Sequence, residues 1–161
     1  LKNRAGLRTE LELQAFELEM TTLRSRLRLP LGNCDPAHYR AVHRHLFQDV
    51  YTWAGRYRTV RTAKDGNVFC YPEHIESQMA QLFLRLEGVA FKRGAAFTDF
   101  ADAAASFLGE LNAIHPFREG NGRAQLSFLN LIAGRAGHML DFDHFHGNLE
   151  PLVAEISALG R

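Results

Sequence analysis

The sequence predicts a mainly α fold, a helical bundle from which one short β-hairpin stands out. Three observations carry this. Apolar residues recur at spacings of three and four through most of the chain, the period of an amphipathic helix. Proline, Asp and Thr stand where helices would start, and glycines where they would stop. Only the stretch from Trp53 to Tyr71 breaks the period, and it holds the turn signal Asp65-Gly66-Asn67.

Taken in order, Leu13, Phe16, Met20, Leu23 and Leu27 define the first helix, which Pro30-Leu31-Gly32-Asn33 breaks. Asp35 and Pro36 form a good N-cap and first helical residue for a second helix, expected to run to about Tyr51. The hairpin follows, with Tyr57–Val60 on one side of the turn and Val68–Tyr71 on the other. Pro72 starts a third helix through Ile75, Met79, Leu82, Phe83 and Leu86, with Gly88 and Gly94 bracketing its end. Thr98 is expected to cap a fourth, whose apolar period runs through Phe100, Ala104, Phe107, Leu108, Leu111 and Ile114 up to His115. Leu126, Leu129, Ile132 and Ala133 resume it until Gly137, and a last helix is expected between Gly147 and Gly160.

Length and composition narrow the function. The 161 residues fit a single domain, 1–161, and the first residue, Leu1, suggests a piece excised from a longer protein. Nineteen Lys and Arg against 18 Asp and Glu leave a net charge of +1, so bulk charge calls for neither direct nucleic-acid binding nor a membrane surface. No apolar run approaches membrane-spanning length. Cys34 and Cys70 cannot build a disulfide framework and point to a reducing compartment.

The chemistry concentrates in His115-Pro-Phe-Arg-Glu-Gly-Asn-Gly-Arg123, between two predicted helices. A helix N-terminus presents unpaired N–H groups and favours anions. Gly120 and Gly122, flanking Asn121, allow close backbone approach to a phosphate, and Arg123 can add a charge-assisted fork. Glu119 would repel phosphate unless a divalent cation such as Mg²⁺ bridges them. His115 titrates near neutral pH and can take a proton from an attacking hydroxyl. Pro116 stops the helix and Phe117 anchors the loop. Singly, these residues read as a helix end, a turn and a solvated charge; together they imply transfer of part of a nucleotide to a hydroxyl.

These residues resemble the Fic (filamentation induced by cAMP) family, whose signature is HxFx(D/E)GNGRxxR. The match is His115, Phe117, Glu119, Gly120, Asn121, Gly122 and Arg123, and HRHLFQDVYTWAGRYRT before the hairpin is similar too. The resemblance implies a Fic-type helical bundle with a hairpin flap, and transfer of AMP from ATP, with Mg²⁺, to a Ser, Thr or Tyr hydroxyl of a target protein. By position, His115 would be the general base and Glu119 the metal ligand. Gly120, Asn121, Gly122 and Arg123 would hold the phosphates. The flap, Thr62–Cys70, would receive the target by strand addition, and Asn67, Val68 and Phe69 would border the nucleotide.

One position departs from the signature: Leu126 stands where the second arginine is usual. Leucine donates no hydrogen bond, so Gln125 and Arg118 are the candidates to compensate. Leu126 leaves room for alternatives, a Fic-fold transferase using UMP or a phosphocholine donor, or a non-catalytic nucleotide-binding or scaffold module. No convincing inhibitory (S/T)xxxE(G/N) string is found, since Ser106 to Leu111 fails at its last position, so restraint would come from a separate antitoxin-like chain, a missing domain, or nothing. The expected setting is a bacterial cytoplasm, or a host cell reached as a secreted effector. The pairs His43/His45 and His144/His146 read as unlikely metal sites, His38 and His74 as solvated, Trp53 and Tyr57 as packing, and Arg56, Arg58 and Arg61 as a solvated charge run.

Overall fold

The computed structural model describes residues 1–64 and 66–140, so Asp65 of the turn, the expected helix between Gly147 and Gly160, and His144/His146 lie outside the described residues. Among the described residues there are five α-helices and one hairpin: α1 Glu10–Ser25, α2 Pro36–Phe47, β1 Ala63–Lys64, β2 Asn67–Val68, α3 Pro72–Phe83, α4 Phe97–Ile114 and α5 Asn121–Ala136. Two 3-10 turns, Leu84–Glu87 and Val89–Phe91, lead from α3 to α4.

The helix starts have local causes. Thr9 accepts the Glu12 N–H and its hydroxyl donates to the Glu12 carboxylate, a reciprocal cap on α1. Asp35 accepts the His38 N–H at 2.7 Å with Pro36 at the first helical position, as expected for α2. Pro72 opens α3. Thr98 is not a cap: α4 begins at Phe97, with Ala96 at the cap position and no side-chain bond there. α2 ends at Phe47 rather than Tyr51, because the chain turns tightly to stack Tyr51 on Trp53, with ring centroids 4.3 Å apart.

α2 packs against α1 and α5, and α4 against α3 and α5. The core between them is aromatic: Tyr39, Phe83, Phe117 and Phe128 meet at centroid separations of 5.2–5.7 Å, and Phe100 and Phe107 extend the cluster. α1 docks through the first part of its apolar period, with Leu13 buried and Phe16 and Met20 partly buried against the core. Its buried residues are Leu13, Glu17 and Thr21, whereas Leu23 is exposed and Leu27 lies beyond the helix. Glu17 and Thr21 share the inward face with Leu13, Phe16 and Met20, which requires partners for the two polar side chains.

The hairpin is shorter than expected. Ala63 pairs with Val68 and Lys64 with Asn67, and Gly66 at φ +82° makes the turn. Tyr57–Val60 is not a strand; its backbone is tied to the core through the Arg58 N–H, which donates to the Pro116 carbonyl at 2.9 Å. The flap stands on that tie, with the Cys70 N–H donating to the Ala113 carbonyl at the end of α4.

Candidate active site

α4 ends where His115 adopts a left-handed conformation, φ +49°, while its N–H still bonds the Leu111 carbonyl. Left-handed backbone costs a non-glycine residue about 1–2 kcal/mol. Burial of the Phe117 ring two residues on contributes on the order of 2–3 kcal/mol and outweighs it. The Asn121 side chain closes the loop, accepting the Phe117 N–H at 2.9 Å and donating to the Phe117 carbonyl at 2.8 Å. Asn121 is buried and both ends of its amide are used, so this side chain shapes the cradle. Gly120 precedes α5 at φ +79°, and a Cβ there would lie 2.2–2.8 Å from the Phe47 ring. The first intrahelical bond of α5 runs from Ala124 N–H to the Gly120 carbonyl, so the N–H groups of Asn121, Gly122 and Arg123 open outward from the helix end.

The His115 ring stacks on Phe69 of the flap, centroids 3.9 Å apart and planes 10° from parallel. Its Nδ1 is buried without a hydrogen bond, which leaves Nε2 as the nitrogen for a substrate. Burial, then the Arg58 cation, push its pKa down to about 4; the Asn112 carbonyl opposes this without closing a hydrogen bond, and Lys64 adds a smaller depression. At neutral pH the imidazole is therefore the free base.

Glu119 is half-exposed, and its Oε1 accepts the Gly120 N–H at 3.0 Å. Among the described residues no three His, Cys, Asp or Glu side chains gather into a metal cage. A single carboxylate beside outward-facing amides suits Mg²⁺, which keeps several waters and takes its other ligands from phosphates.

The Glu119 carbonyl is held from behind by His43, a residue with no role in the sequence reading beyond an unlikely metal pair. Its Nδ1 accepts the Gly55 N–H and its Nε2–H donates to the Glu119 carbonyl, both at 2.9 Å, so no nitrogen is left for a metal. The ring lies fully buried between Phe47 and Phe117. Burial drives its pKa down to about 4, against the Glu119 hydrogen bond and with help from the Arg123 cation. The unfolded chain takes this proton near pH 6.5 and the folded chain only near 4, so protons favour unfolding between those values. The share of stability tied to His43 should be full above pH 6.5 and fall by up to about 1.4 kcal/mol per pH unit below it, with His115, depressed alike, adding a fall of the same sign, read together as a dropping urea midpoint. A His43→Gln variant should be less stable at pH 7 and show a shallower fall.

Arg123 does not extend freely into the cradle. Its guanidinium donates to the Glu17 carboxylate and, at 3.2 Å, to the Thr21 hydroxyl, lies 4.7 Å over the Phe47 ring, and comes within 4.0 Å of Glu119. The Tyr51 hydroxyl donates to the other Glu17 oxygen, and burial together with that carboxylate raises the Tyr51 pKa, keeping the phenol protonated. Glu17, Tyr51, Glu119 and Arg123 line a cavity of about 580 Å³ that reaches Arg8 and Thr9 at the start of α1.

Arg58 corrects the expectation of a solvated charge run. It is 4% exposed, and its guanidinium donates to the carbonyls of Ile114, His115, Val60 and Cys70. One side chain thus caps the end of α4 and ties to it the segments that enter and leave the hairpin. Arg56 and Arg61 remain exposed, as expected. Of the three flap candidates for the nucleotide, only Phe69 meets the loop; Asn67 and Val68 are exposed near the hairpin tip. Gln125 is fully buried, neither amide atom has a partner, and it does not line the cavity. Leu126 is half-buried against the core, and Arg118 is exposed. Trp53 and Tyr57 pack, as expected, against Tyr51 and Phe117. His74 is exposed, but His38 is buried, accepting the Cys34 N–H and donating to the Pro30 carbonyl.

Residues 33–133 match the Fic domain of the Fic/DOC family. The chain is 48% identical to the probable protein adenylyltransferase y4lH of Sinorhizobium fredii, over 97% of this chain and 88% of that protein. It is 35% identical to the probable protein adenylyltransferase Fic of Escherichia coli, over 88% and 72%. Its fold is similar to the N-terminal Fic domain of a VirB-translocated Bep effector protein from Bartonella quintana with bound ADP, with a TM-score of 0.83, 26% identity and coverage of 98% and 89%.

Proposed function

From the premise that this chain belongs to the Fic/DOC family, we propose that it is a protein adenylyltransferase, moving AMP from ATP to a Ser, Thr or Tyr hydroxyl of a target protein. The observation that carries this reading is one loop that opens the N–H groups of α5 at one end and holds His115 against the flap at the other. Relatives named as adenylyltransferases and a nucleotide-bound relative support it.

The target segment pairs along the flap, which brings its hydroxyl to His115. Nε2 takes the hydroxyl proton as the oxygen bonds to the α-phosphorus, and the bond to the bridging oxygen breaks to release pyrophosphate. The N–H groups of Asn121, Gly122 and Arg123 stabilise charge on the phosphate oxygens, and Arg123 meets the leaving group. Glu119 would hold Mg²⁺, which when bound neutralises phosphate charge. Arg58 keeps flap and His115 in register. No described helix is long and apolar enough to cross a membrane, and translocation into a host, as for the Bartonella effector, is compatible with this chain.

Incubation of the protein and a cell lysate with nucleotides and Mg²⁺ tests the reading. Label from the ATP α-phosphate should appear on protein and vanish in a His115→Ala variant. Label from UTP alone, or from a phosphocholine donor alone, would move the assignment to that donor. Binding of nucleotide with no transfer would make the chain a binding module. A Leu126→Arg variant should raise the rate if the missing arginine limits turnover.

A further inference from the structure

We propose that Glu17 is the positioning residue for Arg123, orienting its guanidinium toward the phosphates, an inference that rests on the nucleotide-binding reading above. α1 buries three residues, and two of them, Glu17 and Thr21, end on the same arginine. A carboxylate only 7% exposed would be costly on α1 unless paired, and here it is fully engaged: one oxygen receives Arg123 and the other the Tyr51 hydroxyl. Leu13, Phe16 and Met20 of α1 pack on the core, and Glu17 and Thr21 share that inward face.

The geometry leaves the arginine usable. A guanidinium has five N–H donors, and Glu17 and Thr21 take one each. Its central carbon lies 4.7 Å from the centre of the Phe47 ring, and the bonds to Glu17 and Thr21 hold it from a second side. Arg123 lines the cavity that Glu119 shares, and its guanidinium comes within 4.0 Å of the Glu119 carboxylate. A long arginine side chain loses much rotamer freedom on gripping a ligand, and orientation in advance removes that cost from binding. Glu17 thus acts on phosphate through Arg123.

The test uses Glu17→Gln, which keeps shape and an acceptor but not charge, beside Glu17→Ala and Thr21→Val. Folding is checked by circular dichroism and thermal melting. In folded variants, affinity for Mg·ATP, measured by calorimetry without turnover, should fall about tenfold in Glu17→Ala and less in Glu17→Gln. KM for ATP should rise in parallel, with kcat changed by a smaller factor. A purely structural role would lower the melting temperature while leaving affinity and KM untouched, and that result overturns the proposal. So would tighter binding or faster transfer in the Glu17 variants, which would make the contact a restraint. Because affinity is read without transfer, a wild-type protein that binds ATP but modifies nothing would sink the adenylyltransferase reading and leave this one standing.

Discussion

Replacing His115 by alanine is expected to slow AMP transfer by about 10²–10⁴-fold while nucleotide affinity stays within about threefold of wild type. The size follows from its placement, with Nε2 left for the substrate and the ring aligned by stacking on Phe69. Alanine keeps the strain of about 1–2 kcal/mol that the backbone at φ +49° already carries and loses the ring packing on Phe69 that helps to offset it. A His115→Asn variant separates the two effects, since asparagine tolerates left-handed backbone but cannot serve as the base. Both variants should lose transfer, and the asparagine variant should melt closer to wild type. An asparagine variant that keeps full activity would remove His115 from the mechanism.

The same residue sets a pH signature. With its pKa pushed down to about 4 by burial and by Arg58, His115 is unprotonated throughout the neutral range. Protonation removes the base, so kcat/KM should be flat between pH 6 and 8 and fall only as pH drops toward 4. A limb centred at 6.5 would mean that the ring is more exposed in solution than its packing indicates. Loss of fold from His43 protonation overlaps the acid end, so initial rates must be compared with the folded fraction at each pH.

Gly120→Ala should be the most damaging substitution to the fold around the cradle, costing about 2–5 kcal/mol. Two independent terms add. The backbone sits at φ +79°, and a Cβ would enter the Phe47 ring at 2.2–2.8 Å. Phe47 cannot yield easily, because its ring also stacks on His43 and carries the Arg123 guanidinium. Movement of that ring would therefore disturb the Glu119 carbonyl and the arginine together. A lower urea midpoint and loss of ATP binding in the folded fraction are the expected readouts. Near-native stability would show that the loop has another conformation available.

Much of this was legible from neighbours along the chain. Asp35 before Pro36 announced a cap because a short acceptor beside a ring with fixed φ suits the start of a helix wherever it occurs. The apolar period from Phe100 to Ile114 and the glycines around Asn121 placed the cradle between two helices. Thr98 misled because a capping residue and a first-turn residue look alike when the apolar period blurs their boundary. The Asn121 amide is spent on its own loop, an arrangement that its local sequence does not announce.

By itself the sequence determined the helical class, the hairpin, and a loop whose His, Glu, Gly and Arg belong to one chemistry. Only the tertiary structure decided what surrounds that loop. Glu17 finds its arginine 106 positions away, His43 its carbonyl 76 away, and Arg58 the end of α4 57 away. The physical reason is that backbone preferences depend on the adjacent turn, whereas a polar side chain's role depends on which acceptor packing brings to it. A glutamate or arginine in a helical or loop pattern reads as solvated until the fold removes its water, and then its partner defines what it does.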